Sequence, residues 1–134
     1  LDGLKMKKCL LIVALVGLSS AAYADWSKVD HNGGDMSLYI DVESRVDSGH
    51  GTMVMWHLTD YATNQSLGDK KFRSMKGQDE YDCGKDVSRE LLYFWHPDPM
   101  GNSQMVHAAY VPTAWMKPEA GSVQRTLMQI ACKK

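Results

Sequence analysis

Cys83 and Cys132 set the strongest constraint on this chain, and they become an even pair only once its N-terminus is cut away. Met6-Lys7-Lys8 is followed by an apolar run from Cys9 to Leu18 and then by Ser19-Ser20-Ala21-Ala22-Tyr23-Ala24. A charged start, a short apolar stretch and small residues at Ala22 and Ala24 are the three parts of a cleavable secretory signal, with cleavage before Asp25. The alternative, a buried core helix, explains neither the lysines nor the small-residue end. Spanning a membrane takes about 20 apolar residues, so the run is too short for a permanent span. Cys9 lies at the start of the apolar run, where a lipid-accepting cysteine does not sit, and the expectation is an unanchored protein. Residues 1–24 are therefore read as an N-terminal extension and signal, and residues 25–134 as a single domain.

Export changes the cysteine chemistry. Cys9 leaves with the signal, and an oxidising compartment keeps Cys83 and Cys132 paired, two free thiols being the alternative. The two lie 49 positions apart. Closing a loop of that length stabilises a fold by about 4 kcal/mol in the chain-entropy model. With 44% hydrophobic and 23% charged residues the chain can bury an ordinary core. Its 15 basic and 16 acidic residues give no electrostatic reason for nucleic acid or an anionic membrane surface as partner.

Past Asp25 the pattern is that of short strands and tight turns. Trp26–Val29 reads as a first strand and His31-Asn32-Gly33-Gly34-Asp35 as a turn. Met36, Leu38, Ile40 and Val42 alternate with polar neighbours, the period of a strand with one buried face. Ser48-Gly49-His50-Gly51 ends the next connection, and Thr52–Thr59 is β-rich and apolar on both faces, which places it centrally. Tyr61–Gly68 reads as a polar loop, Lys71–Cys83 as a strand bending near Gly77, and Glu90–His96 as a well-buried strand closed by Pro97, Pro99 and Gly101. Gln104–Val111 is a sixth candidate.

After Trp115 the period changes. Val123, Leu127, Ile130 and Ala131 recur at helical spacing behind Pro118, and Ser122 is a suitable N-cap. Cys132 falls off that stripe, so a disulfide needs a frayed last turn or a helix lying with its flank toward the sheet. The expected fold is α+β, an antiparallel sheet of about six strands with one C-terminal helix packed on it.

Trp26 near the mature start, Trp56 followed by Asp60-Tyr61, then Tyr81-Asp82-Cys83, Trp115, Pro118, Ser122 and a terminal helix reaching Cys132 together resemble the surface-adhesin protein E-like family of small exported bacterial proteins. The resemblance covers nearly the whole mature chain and rests on order and spacing. It implies a curved six-stranded sheet, a helix tethered by the disulfide, and a non-catalytic binding role. For the family's named adhesin it implies a homodimer, host matrix partners and haem binding. That adhesin is anchored to the outer membrane, and no matrix-contact residues carry over.

Chemistry-bearing candidates are few. Met53, Met55 and His57 alternate along one strand and so share a face, a thioether and imidazole set suited to copper(I), while Trp56 faces the other way. The competing reading makes both methionines core and His57 a partly buried strand residue, methionine being a common gap filler. His96 and His107 would join such a site only on matching faces, and His31 and His50 sit in Gly-rich turns and are expected to be exposed. His57 with Asp60, or His96 with Asp98, would be an acid-base pair if the fold brought either together. No nucleophile elbow, Cys-x-x-Cys, zinc-protease helix or phosphate loop is present, so no enzyme is expected. Asn64-Gln65-Ser66 matches a glycosylation acceptor, which a bacterial-type signal gives no reason to use.

The reading is thus an exported binding protein, periplasmic or secreted, whose partner is a protein or other extracellular macromolecule, with a periplasmic copper or haem binder as the alternative. Mass spectrometry of the exported protein should find Asp25 at its N-terminus and no acyl chain. A retained Met6 or a lipid on Cys9 would overturn the localisation.

Overall fold

In a computed structural model, which describes residues 24–31, 34–110 and 112–134, six strands form one antiparallel meander in chain order, and one helix follows. The strands are β1 (Ser27–Val29), β2 (Met36–Asp47), β3 (Met53–Leu67), β4 (Lys70–Asp82), β5 (Val87–His96) and β6 (His107–Ala109), and the helix is α1 (Val123–Ala131). Residues 1–23, which hold all but the last residue of the expected signal, lie outside the described residues, as do Asn32 and Gly33 of the first turn and Val111 at the end of the sixth candidate strand.

Strand alternation sorts the sheet into two faces. Leu38, Thr59, Met75, Trp95 and His107 stand directly opposite one another across β2 to β6, and so do Ile40, His57, Gly77, Tyr93 and Ala109. These rows face α1. The rows Tyr39-Leu58-Lys76-Phe94-Ala108 and Asp41-Trp56-Gln78-Leu92 face the other way.

The expected polar loop at Tyr61–Gly68 is instead the outer half of β3. It pairs with β4 through Gln65–Phe72, Ser66–Lys71 and Leu67–Lys70, and Gly68-Asp69 forms a two-residue turn with Gly68 at φ 60°. Its residues are mostly exposed on both faces, so hydropathy carries no strand period there, and it is held by backbone pairing with help from Tyr61, which meets Phe72 edge-on and accepts from Arg73 Nε through its carbonyl. A second difference lies in β2, where three extra residues separate the Asp41–Trp56 and Val46–Val54 pairs. Ser44 fills the irregularity. Its hydroxyl donates to Asp41 O and accepts the Trp56 N–H at 2.9 Å. The phase shift leaves Val42 exposed rather than inward.

The core forms where α1 meets the sheet. Leu38, Ile40, Met55 and Tyr81 pack against Leu127, Met128 and Ala131, with Val123 and Ile130 at the margin. Ser122 caps the helix by accepting the Arg125 N–H, as its sequence position implies. Arg125 also reaches Asp86 in the β4–β5 turn and the Pro118 carbonyl, while Arg45 donates to Lys133 O at 2.7 Å beyond the other end. Cys132 is the C-cap, just past the last helical turn, and there it bonds Cys83 with 5.7 Å between Cα atoms. Of the two geometries that the stripe left open, the structure uses the helix end.

Replacing Cys83 or Cys132 by serine should lower stability by about 2 to 5 kcal/mol, read by urea denaturation. Loss of helical circular dichroism before loss of the sheet signal should accompany it. Met55→Ala, a cavity mutation at a fully buried site, should cost about 2 to 5 kcal/mol.

Candidate functional site

On the face opposite α1 the sheet carries an open groove of about 540 Å³. Trp56 from β3 and Phe94 from β5 form its aromatic floor, their rings stacked with centroids 6.0 Å apart, and Trp26 ahead of β1 closes one side. Tyr110 extends the strip by meeting Phe94 edge-on at 5.7 Å and is 64% exposed. Asp41, Glu43 and Lys76 add charge to the lining. The far end is built by the chain after β5, which folds back so that Ser74 donates to Asp98 O and accepts the Gly101 N–H, while Asp60 accepts the Met100 N–H.

His96 lines the groove yet is only 5% exposed. Burial pushes its pKa down, the Ser103 carbonyl at 2.8 Å from Nδ1 opposes the shift, and Lys76 adds to it. Burial likewise lowers Lys76. Burial thus favours the neutral form of His96, which donates from Nδ1 to Ser103 and leaves Nε2 as an acceptor without a partner among the described residues.

The other face holds the sequence-derived metal candidates. Met55 is fully buried in the core beneath α1, and Met53 packs at its margin. His57 shares their face, but its near neighbour is Asp79 on β4, with Nε2 3.2 Å from Oδ2. Asp60 is on the opposite face and bonded to Met100, so it does not pair with His57, and Asp98 meets Ser74 rather than His96. His96 also faces away from His57. His107 shares the His57 face but lies three strands off, its ring tilted against Trp95 with centroids 4.4 Å apart. His50 is exposed as expected, whereas His31 is half-buried, its Nδ1 3.4 Å from the Thr126 hydroxyl of α1.

The sequence reading missed Asp79 and Glu90, which join His57 in one buried cluster. Asp79 is wholly buried and accepts a hydrogen bond from the Tyr81 hydroxyl at 3.3 Å. Burial first, and the charge of Asp79 second, push the Tyr81 phenol upward and keep it a donor. Glu90 is raised by its own burial and by Asp79, with His57 opposing.

The depressed pKa of His96 makes stability fall with acid. Its neutral form is the favoured one in the fold, so stability held above the ordinary value of 6.5 drains as pH drops below it and the unfolded chain takes up the proton. His96→Gln should flatten that part of the melting-temperature profile, and an unchanged acid slope would show that other groups govern it.

The profile of the surface-adhesin protein E family matches residues 26–133. Among solved structures, that of Haemophilus influenzae protein E in a second crystal form superposes with a TM-score of 0.58 at 15% identity, covering 71% of this chain and 79% of that one. Among curated protein sequences, none matches significantly. The superposition shows a shared fold, and the profile spans nearly the whole described domain: the chain belongs to the surface-adhesin protein E family.

Proposed function

We propose that this protein is exported from a bacterial cell and acts without catalysis, binding an extracellular protein or other macromolecule through the aromatic groove. The observation that carries the reading is the groove itself, in which Trp56 and Phe94 lie beside Asp41, Glu43 and Lys76, with the exposed Tyr110 continuing the aromatic strip past Phe94. Large, stiff aromatic rings flanked by charge are the composition of protein interaction surfaces, where they contribute contact area at small entropic cost.

Two further features support it. The one hydroxyl nucleophile in the lining, Ser44, is committed to Asp41 O and the Trp56 N–H, and His96 is held by Ser103 rather than by a carboxylate. Such groups position backbone rather than attack a substrate. The disulfide suits a compartment outside the cytoplasm, as the signal-like N-terminus does. Among the described residues, no helix is long and apolar enough to cross a membrane.

Purified residues 25–134 should bind saturably to at least one of a panel of immobilised extracellular-matrix proteins, measured by surface plasmon resonance. The Trp56→Ala, Phe94→Ala double variant should lose about tenfold or more in affinity while its melting temperature stays within a few degrees. Binding that is unchanged in the double variant would remove the groove from the function, and no binding by the wild type across the panel would remove the matrix as partner.

A further inference from the structure

His57 on β3, Asp79 on β4 and Glu90 on β5 each offer a ligand atom, and those atoms all lie within 4.8 Å of one another. Two local irregularities produce the convergence. The strand opposite His57 carries Gly77, and a Cβ there would stand 2.6 Å from the His57 Nε2, so only glycine lets the imidazole lean across β4 toward Asp79. On the other side a register shift between the Gln78–Leu92 and Asp79–Glu90 pairs skips Leu91. Regular pairing would set Leu91 opposite Asp79 and turn Glu90 to the groove face. The bulge puts Glu90 beside Asp79 instead.

The assembled cluster is unsatisfied. His57 is 2% exposed and Asp79 0%, yet both ring nitrogens and Asp79 Oδ1 lack a hydrogen-bond partner among the described residues. The 3.2 Å approach of Nε2 to Oδ2 is an ion-pair distance whose angle does not make a hydrogen bond. Two carboxylates share the site with a single imidazole, and Arg89, the nearest guanidinium along β5, is bound to Glu80 on the opposite face. Two carboxylates with one imidazole are at best partly compensated, and buried polar atoms without hydrogen-bond partners add to the cost.

We propose that His57, Asp79 and Glu90 are the protein ligands of a borderline divalent cation, zinc before manganese or iron. One imidazole nitrogen and two carboxylate oxygens are a donor set for such ions and lack the sulfur that copper(I) prefers. A tetrahedral ion with bonds of about 2.0 to 2.1 Å holds adjacent ligand atoms about 3.3 Å apart, close to the observed His57–Asp79 spacing. Tyr81, donating to Asp79, is the outer hydrogen bond that fixes the carboxylate. Glu90, the half-buried member, marks the side from which the ion enters and water completes the coordination. The ion cross-links the three central strands beside the core, on the face away from the proposed binding groove.

The test uses tag-free residues 25–134 stripped with EDTA and desalted. Zinc should bind with 1:1 stoichiometry by calorimetry and raise the melting temperature in a concentration-dependent way, and cobalt(II) should give the visible absorption of a four-coordinate site. Glu90→Gln, at the half-exposed position, should weaken zinc at least about tenfold and abolish the cobalt band while the protein still folds. Tyr81→Phe should weaken zinc about tenfold without changing its stoichiometry. His50→Gln should bind like the wild type. Failure of the wild type to bind either metal, or a Glu90→Gln variant that binds with unchanged affinity, overturns the assignment.

Discussion

One nine-residue helix cannot cover a six-stranded sheet, and much of the structure answers that shortage. At about 1.5 Å per residue α1 is about 14 Å long, while six strands at about 4.8 Å spacing span about 24 Å. The helix therefore shields only the end of the face that holds Leu38, Ile40, Met55 and Tyr81. Elsewhere on that face the sheet covers itself with rings, Trp95 stacking 4.6 Å from Phe72 and meeting His107 at a tilt 4.4 Å away, with Tyr93 beside it. A helix this short is marginal by itself, so it is held at both ends. Arg125 ties the first turns to Asp86 and Pro118, and the disulfide and Arg45 tie the last.

Local periodicity made the helix, its Ser122 cap, the buried middle of β3 and the separation of Trp56 from Met55 legible, because each depends on residues a few positions apart. What stayed illegible depends on register. The exposed outer half of β3 pairs through its backbone and shows no hydrophobic face, so its polar residues look like a loop. Val42 obeys the alternation in sequence and is exposed because the Ser44 irregularity shifts the phase. Asp79 and Glu90 meet His57 through the opening at Gly77 and the skipped Leu91; the glycine shows in the sequence only as a bend, and the skipped residue leaves no mark within one strand. Trp26 reaches the groove from a segment far from Trp56 and Phe94 in sequence, which again only the strand order provides.

The same alternation that divides the faces also insulates them. Trp56 and His57 are neighbours in the chain, yet one lines an open groove and the other sits buried beside Asp79. On the groove face a separate polar clamp ties strand to strand, with Thr52 donating to Glu80 at 2.7 Å, Arg89 bonded to the other oxygen of Glu80, and Trp115 lying 4.5 Å beneath the Arg89 guanidinium. Every member of that clamp is partnered, whereas the cluster on the helix face keeps three buried atoms without partners. Satisfied polar groups rigidify a sheet, and buried unsatisfied ones are costly to it. The contrast within one small sheet is what distinguishes a clamp from a ligand site: both bury a carboxylate, but only the clamp gives both of its carboxylate oxygens hydrogen-bond partners.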